Sequence, residues 1–229
     1  MIDVLILCGG FGTRFNITNK KINKPLVKVN GKTILERIIK IYLRDEKNCR
    51  FIILGGFRYK YLKKYIDKNF KIKNLIVLNT GKNTPTAGRV LMAKKYIKSE
   101  NFCLTYGDSL TDFSFKKAIK LKNNKNFIIS SYKKLSSFGQ LDIKKGLIKN
   151  FNEKKTFEKI NAGFYIFDKK LFEFIKSRKE NLETTVFKRI LKAKYNILEF
   201  KVSKWFPMDT WGNKLDLENI LKKNKNYFK

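Results

Sequence analysis

Short apolar runs alternate with amphipathic segments through the first half of the chain. Runs that are apolar throughout are typical of strands buried on both faces of a parallel sheet. They predict strands over 3–8, 50–56, 74–80 and 101–108. The segments between them have helical periodicity, which predicts helices over 33–45, 57–70 and 89–99. This βαβα order predicts an α/β fold with a mixed, mostly parallel, Rossmann-like sheet and helices on both faces.

The pattern changes after residue 125. Alternating apolar and polar positions predict further strands over 126–134, 138–154, 161–168 and 197–202, with the Lys-Lys-Gly sequence at 144–146 as a hairpin turn. Helical stretches are predicted near 168–177, over 183–193 and from about 213. No Pro-, Gly- or Ser-rich linker divides the chain, so we predict a single domain over 1–229, with a small β-rich portion in its second half.

The net charge and the composition bear on the possible partners of the protein and leave the predicted fold unchanged. The net charge of +33 alone would favour nucleic acid or an anionic membrane as a partner. However, only eight of the 52 basic residues are Arg, and the Lys is spread along the chain among abundant Asn, Ile, Phe and Tyr, as a codon-biased genome would produce. No DNA-binding motif accompanies the charge, so we predict neither nucleic acid nor membrane as a partner.

Missing and isolated residue types exclude several chemistries. Histidine is absent, which excludes Ser-His-Asp catalysis and His-ligated zinc. The cysteines Cys8, Cys49 and Cys103 lack metal-type spacing and fit reduced, buried thiols. The sequence contains neither a signal-peptide pattern nor an apolar run of membrane-spanning length, so we predict a cytoplasmic protein.

The sequence GGFGTR directly after the first predicted strand is the strongest chemical signal. Glycines at this point leave backbone N–H groups open to a phosphate at the carboxyl edge of the sheet. The spacing is neither a dinucleotide fingerprint nor a P-loop, because Arg14 takes the place of the last glycine and no Gly-Lys-Ser/Thr follows. Residues 16–25 are predicted as loop, so the turn closes over a ligand. Arg14 can hold phosphate oxygens, and Lys24 beside Pro25 supplies a second cation.

Two carboxylates at predicted loop positions are candidate metal ligands. Asp108 follows Gly107 at the end of an apolar strand, and Asp209 lies in the sequence WFPMDT. Taken alone, an Asp at a strand end is more often a helix cap or a turn residue. Mg²⁺, however, takes one or two carboxylates together with phosphate oxygens and water, which a pair of this kind could supply.

Motifs spread over nearly the whole chain resemble the sugar-1-phosphate nucleotidylyltransferases, most closely the glucose-1-phosphate cytidylyltransferases. They occur in the family's order as CGGFGTRF, NKPLVKVNGKTIL, NTGKNTPTAGRV, LTYGDSLTDF, FGQLDI, FNEKK, INAGFYIFD and WFPMDTWGNKLDLENILKK. The resemblance implies the nucleotide-diphospho-sugar transferase fold, with a nucleotide-binding half over about 1–125 and a sugar-phosphate-binding half over about 126–229. It implies that CTP and glucose 1-phosphate give a CDP-sugar for polysaccharide biosynthesis and pyrophosphate, by Mg²⁺-assisted in-line attack on the α-phosphate.

The resemblance also implies roles for individual residues. Arg14 and Lys24 would be catalytic, and Asp108 and Asp209 would hold Mg²⁺. The nucleotide would be bound by the glycine-rich loop, the segment 80–89 and one aspartate: Gly9, Gly10, Gly12, Thr13, Arg14, Thr80, Gly81, Thr86, Ala87, Gly88, Arg89 and Asp108. The sugar phosphate would be bound by Gly139, Glu153, Lys154, Asn161 and Glu183.

Several alternatives stay open. The base could be that of GTP or dTTP, and the acceptor could be a phosphate other than a sugar phosphate. A less favoured alternative is a non-catalytic protein that binds nucleotides or nucleic acid. We expect small-molecule substrates as partners, and a homo-oligomer remains an open alternative to a monomer.

Overall fold

A computed structural model describes residues 1–15, 23–136, 139–153 and 157–228. The strands are β1 (Ile2–Cys8), β2 (Lys28–Val29), β3 (Lys32–Thr33), β4 (Cys49–Gly55), β5 (Leu75–Asn79), β6 (Asn101–Tyr106), β7 (Ser109–Thr111), β8 (Asn126–Leu135), β9 (Gln140–Lys144), β10 (Leu147–Asn152), β11 (Phe157–Asp168), β12 (Asn196–Val202) and β13 (Trp205–Pro207). The α-helices are α1 (Ile34–Asp45), α2 (Tyr59–Asn69), α3 (Thr86–Ala93), α4 (Phe115–Ala118), α5 (Phe187–Lys192) and α6 (Trp211–Lys223).

A seven-stranded sheet in the order β12-β8-β11-β6-β1-β4-β5 forms the centre of the molecule. Strand β1 pairs in parallel with β4 and β6, β4 pairs in parallel with β5, and β12 with β8, whereas β11 is antiparallel to both of its neighbours. This confirms the predicted α/β fold with a mixed, mostly parallel sheet. Strands β8, β11 and β12 of the second half extend the same sheet, whereas β9 pairs with β10 and β13 pairs with β7 in separate two-stranded sheets.

Both faces of the sheet are buried, as the apolar runs predict. Along β1, Val4 and Ile6 belong to one core cluster, and Leu5 and Leu7 belong to the other. Helix α1 packs into the first cluster and begins at a capping box, in which the Thr33 hydroxyl accepts a hydrogen bond from the backbone N–H of Glu36 at 3.1 Å. Such reciprocal capping satisfies the free N–H groups of the first helical turn. Helix α3 packs into the second cluster.

Three predicted helices differ in the structure. The helix predicted over 89–99 begins at Thr86, directly after Pro85 as the N-cap residue, and ends at Ala93, where a 3₁₀ turn over Lys94–Tyr96 follows. The helix predicted near 168–177 is a short 3₁₀ turn, Lys169–Glu173. The stretch predicted over 183–193 begins as a π-helical turn, Leu182–Val186, and continues as α5.

The β-rich portion of the second half contains the predicted hairpin. Strands β9 and β10 pair in antiparallel fashion and are joined by Lys145 and Gly146, whose φ values of 50° and 77° are both positive. Positive φ at both central residues is the requirement of a type I′ hairpin turn, and glycine meets it without strain. In the part of the chain that is described, no helix has the length and apolar character needed to cross a membrane.

Candidate active site

The glycine-rich loop leaves the carboxyl end of β1, next to the ends of β4 and β6. Gly12 has a φ of 62°, and its carbonyl oxygen accepts a hydrogen bond from the N–H of Phe15 at 3.0 Å, which closes a 3₁₀ turn over Thr13–Phe15. Gly10 is exposed, and a Cβ built on it would have no atom within 4 Å. The backbone at Gly10 is therefore open to a ligand in the neighbouring cleft.

Arg89 holds the glycine-rich loop from inside the protein. Its guanidinium donates hydrogen bonds to the carbonyl oxygens of Gly9 (3.1 Å), Gly55 (3.3 Å), Gly81 (2.9 Å) and Lys82 (3.2 Å), and to the hydroxyl of Thr80 (2.6 Å). A Cβ at Gly9 or Gly56 would overlap the Arg89 Nη1 atom. Burial lowers the pKa of Arg89 from its ordinary value. Glycine is thus required at both positions because a guanidinium fills the space.

Three charged side chains meet at this edge of the sheet. The Lys24 ammonium lies 2.8 Å from Asp209 Oδ1 and 3.5 Å from Asp108 Oδ2. Lys24 is only 9% exposed, and its aliphatic stem lies against Gly12, where a Cβ would come within 3.1 Å of Lys24 Cγ. Lys24, Asp108 and Asp209 form what we call the charged triad.

A short ladder brings the two carboxylates together from distant parts of the chain. Strands β7 and β13 pair so that Ser109 lies opposite Pro207, and the N–H of Met208 donates to the carbonyl oxygen of Asp108 at 2.7 Å. Asp108 precedes β7, and Asp209 follows β13 just before the N-cap of α6. The predicted pairing of the two aspartates is therefore present in the geometry.

Asp108 and Asp209 are the carboxylates of the charged triad that could take part in holding a divalent cation. Their side chains remain 37% and 28% exposed, and the Lys24 ammonium between them already neutralises part of their charge. In the described residues, no group of three or more His, Cys, Asp or Glu side chains lies close enough to hold a metal ion. Two carboxylates with room for water and phosphate oxygens are the donor set that Mg²⁺ uses, whereas an all-protein cage would need more ligands.

A cleft of 440 Å³ lies beside the charged triad. It is lined by the loop after β1, the start of α3 and the end of β6: Leu7, Gly9, Gly10, Phe11, Lys82, Asn83, Thr84, Pro85, Thr86, Arg89, Tyr106, Asp108 and Asn181. The Glu183 carboxylate accepts hydrogen bonds from the hydroxyls of Tyr106 and Thr86 and so connects the end of β6 with the start of α3. The structure thus places Glu183, which the resemblance assigns to the sugar phosphate, beside Thr86, which it assigns to the nucleotide.

The thiol of Cys8 is buried directly beneath the cleft. Burial and the nearby carboxylate of Asp108 raise its pKa, and Arg89 partly offsets this effect. A thiol with a raised pKa holds its proton at neutral pH and is a poor nucleophile and metal ligand. Cys8 is therefore a packing residue of the site.

Several residues of the segment 80–89 have a different placement from the one predicted. Thr80 and Ala87 are buried, and Arg89 is only 5% exposed and bound to the protein's own oxygens. Gly88 packs against backbone: a Cβ there would overlap the carbonyl oxygen of Arg178. These residues shape the cleft wall from within, and their direct contact with a nucleotide stays a prediction.

Of the predicted sugar-phosphate residues, Gly139, Glu153 and Asn161 are not among those that line the 440 Å³ cleft. Gly139 faces Glu153 across the base of the β9–β10 hairpin, where a Cβ on Gly139 would crowd the Glu153 carboxylate. Asn161 holds a bulge in β11, accepting from the N–H of Gly163 at 2.9 Å and donating to the Tyr165 hydroxyl at 2.6 Å. Lys154 and the side chain of Arg14 lie outside the described residues, so their predicted roles remain predictions.

Sequence reasoning did not name eight of the residues that line the cleft: Leu7, Phe11, Lys82, Asn83, Thr84, Pro85, Tyr106 and Asn181. Tyr106 ends the strand before Gly107-Asp108, and Phe11 lies inside the glycine-rich motif, so position alone could have indicated both. Asn181 carries no such signal, because only the tertiary fold brings the start of the π-helical turn to α3.

Comparisons with known proteins agree with this geometry. The family model described as nucleotidyl transferase matches residues 3–225. A probable glucose-1-phosphate cytidylyltransferase of Bacillus subtilis is 32% identical over 253 aligned positions, which cover 100% of this chain and 99% of the relative. A D-glycero-alpha-D-manno-heptose 1-phosphate guanylyltransferase of Campylobacter jejuni is 32% identical over 75% of this chain and 78% of the relative. The crystal structure of HddC from Yersinia pseudotuberculosis complexed with GMP-PN superposes with a TM-score of 0.74 at 25% identity, covering 96% of this chain and 100% of that one.

Proposed function

Because this chain belongs to the nucleotidyl transferase family, we propose that it joins CTP to glucose 1-phosphate and releases pyrophosphate. Family membership and the full-length relative make it a sugar-1-phosphate nucleotidyltransferase. The choice of cytosine and of glucose is supported by the printed name of that relative, which aligns over the whole of this chain. The observation that supports the chemistry is the charged triad beside the open glycine-rich loop.

In the proposed reaction, an oxygen of the sugar 1-phosphate attacks the α-phosphorus of the nucleoside triphosphate. The bond from the α-phosphorus to the bridging oxygen breaks in line with the attack, and pyrophosphate leaves with that oxygen. The attacking phosphate is already an anion near neutral pH, so no general base is required. A chain without histidine can therefore carry out the reaction.

The work of the protein is to bring two mutually repelling polyanions together and to neutralise them. Lys24 offers a positive charge held in place by two carboxylates, and the backbone at Gly10 is open to the triphosphate. Asp108 and Asp209 would hold Mg²⁺, which would supply further charge neutralisation at the transferring phosphate. Glu153, Asn161 and Lys154 are the proposed contacts of the sugar phosphate.

Guanylyl transfer is a second candidate. The Campylobacter relative is named as a guanylyltransferase and is as similar over its aligned part as the Bacillus relative, and the Yersinia structure is complexed with GMP-PN. The phosphate-binding part of the site would act in the same way with either base. The two candidates differ in the base and in the sugar.

The deciding experiment measures pyrophosphate release in excess Mg²⁺, crossing the four ribonucleoside triphosphates and dTTP with a panel of sugar 1-phosphates that includes glucose 1-phosphate. We expect release with CTP and glucose 1-phosphate. Release with GTP and a different sugar 1-phosphate would support the second candidate. Lys24→Met should lose release with every pair, whereas Lys192→Met, an exposed lysine on α5, should keep it. If the wild-type protein released no pyrophosphate with any pair of substrates, both candidates would be contradicted.

A further inference from the structure

Six basic residues line two adjoining cavities outside the cleft, and one of them, Arg44, is paired with Asp45 at 3.2 Å. The other five are Lys32, Arg37, Lys40, Lys222 and Lys225, and we call them the basic cluster. One cavity has a volume of 360 Å³ and is lined by four basic residues, Asn30 and Leu221, and the other, of 160 Å³, is lined by four basic and four apolar residues. Arg37, Leu221 and Lys225 line both cavities, which places them side by side. No described carboxylate lines either one.

The cations of the basic cluster repel one another. Close contact with the Lys32 ammonium lowers the pKa of Lys40, and the positive charge of Lys32 adds to this effect. The carboxylates nearby on the same helices are already engaged: Glu36 caps α1 through Thr33, and Glu218 pairs with Lys214 at 2.8 Å. The negative charge of Glu36 partly offsets the lowered pKa of Lys40 and of Arg37. The repulsion that remains between like charges costs stability.

Arg37 leaves a polar group unsatisfied at the same place. Its Nη2 atom donates to the carbonyl oxygen of Val29 at 2.6 Å, but its Nε atom is shielded from solvent and has no hydrogen-bond partner. Burial lowers the pKa of Arg37 as well. A buried, unpaired donor on a charged group is costly and calls for an explanation, of which a bound anion is one.

We propose that the basic cluster binds a small ligand carrying several negative charges, of the class of phosphorylated metabolites. Such an anion would reduce the repulsion between Lys32 and Lys40 and would neutralise the positive charge of Arg37. The 360 Å³ cavity has the size of a small-molecule site, and its cations converge on a concavity instead of forming the extended stripe that a nucleic-acid backbone follows. Ile41, Leu110 and Phe228 in the adjoining cavity offer room for an apolar part of the ligand.

The basic cluster lies on the same elements that carry the charged triad. Lys32 follows Lys24 through the β2–β3 hairpin, and Lys222 lies near the end of α6, whose start adjoins Asp209. The side-chain N–H of Asn30 donates to the carbonyl oxygen of Glu218 at 3.1 Å and ties that hairpin to α6. A ligand in the basic cluster would therefore contact elements of the active site from outside the cleft.

Isothermal titration calorimetry with inorganic pyrophosphate in EDTA tests the proposal. We expect two classes of site in the wild-type protein. The double variant Lys40→Met/Lys222→Met should lose one class, with an affinity at least tenfold weaker, while Lys24→Met should weaken only the other. The control Lys188→Met/Lys192→Met removes the same charge from exposed positions on α5 and should retain both classes.

Three results would overturn the proposal. The cluster variant could retain both classes, or the control could lose as much affinity, which would indicate diffuse charge attraction. Alternatively, a 20-base-pair DNA duplex could displace pyrophosphate from the cluster at a lower concentration than pyrophosphate itself requires, which would make the surface a nucleic-acid site.

Thermal unfolding separates binding from a structural role of the lysines. Without phosphate, Lys40→Met should melt at a higher temperature than the wild-type protein, because the contact with Lys32 is relieved. Pyrophosphate should raise the Tm of the wild-type protein by more than that of Lys40→Met, since a ligand stabilises the form that binds it. A lower Tm of the ligand-free variant would show that Lys40 serves the fold and would contradict the proposal.

Discussion

The Nη2 atom of Arg89 lies 3.1 Å from the carbonyl oxygen of Gly9, and this hydrogen bond ties α3 to the glycine-rich loop. The same guanidinium binds the Thr80 hydroxyl and the Gly81 carbonyl oxygen, so one side chain fixes the loops that follow β1 and β5. A hydrogen bond from a charged donor contributes about 1.5–3 kcal/mol to stability. The shape of the cleft therefore depends on a residue that is almost wholly buried.

We predict that Arg89→Met lowers the free energy of unfolding by about 2–4 kcal/mol, because several buried oxygens lose their donor. Urea unfolding in the absence of nucleotide measures this effect. Arg178→Met, at an exposed position, is the control and should unfold like the wild-type protein. If Arg89→Met had wild-type stability but bound nucleotide poorly, Arg89 would be the nucleotide ligand that the family resemblance implies.

Gly9 and Gly10 offer a matched pair of substitutions. Gly9→Ala should reduce stability by about 1–3 kcal/mol, because its methyl group would overlap the Arg89 guanidinium. Gly10→Ala should fold with wild-type stability, since its methyl group would meet no protein atom within 4 Å. That methyl group would project where the ligand is proposed to lie, so nucleotide affinity should fall about tenfold.

Thermal unfolding together with nucleotide titration measures both effects. The proposal about the glycine-rich loop would be wrong if Gly10→Ala bound nucleotide as tightly as the wild-type protein. The packing argument at Gly9 would be wrong if the two alanine variants had the same Tm.

Asp108→Asn and Asp209→Asn each remove one negative charge from the charged triad. We predict that either change lowers kcat by at least about 10²-fold with excess Mg²⁺, because the charge that would hold the metal at the transferring phosphate is lost. Circular dichroism should show an unchanged fold. Asp67→Asn, which removes a carboxylate from an exposed pair with Lys63 on α2, is the control and should keep full turnover. Wild-type turnover in either triad variant would refute the metal assignment.

The sequence predicted the parts of this fold that depend on local pattern. A few residues of sequence are enough to predict the buried strand β1, the capped helix α1 and the hairpin at Lys145-Gly146, because each has a local periodicity or turn chemistry. The convergence of Asp108 and Asp209 followed from the family's motif order, and the pairing of β7 with β13 provides its physical cause.

The remaining differences come from tertiary contacts that no local pattern encodes. The family resemblance implies that Arg89 binds the nucleotide, whereas in the structure its guanidinium donates hydrogen bonds to five oxygens of the protein itself. Gly88 suggests close approach of a ligand, but the close neighbour is the backbone of Arg178. In both cases the contacts within the protein are visible only in the structure, and the contact with a nucleotide stays a prediction.

The ion pair between Glu180 and Arg189 gives the chain a defined response to acid. Hydrogen bonding from Arg189 lowers the pKa of Glu180 from 4.5 to about 2, at a position where the Glu180 carbonyl oxygen also accepts from the N–H of Gly88. Because the folded form binds the proton less readily than the unfolded form, this pair stabilises the fold above pH 4.5, and the contribution is lost as the pH falls towards 2.

We predict that Glu180→Gln is less stable than the wild-type protein from pH 5 to 7 and that the difference shrinks towards zero near pH 2. Urea unfolding across this range measures the difference, and Arg189→Met should remove the same pH dependence. Parallel stability curves for Glu180→Gln and the wild-type protein would show that the pair contributes nothing.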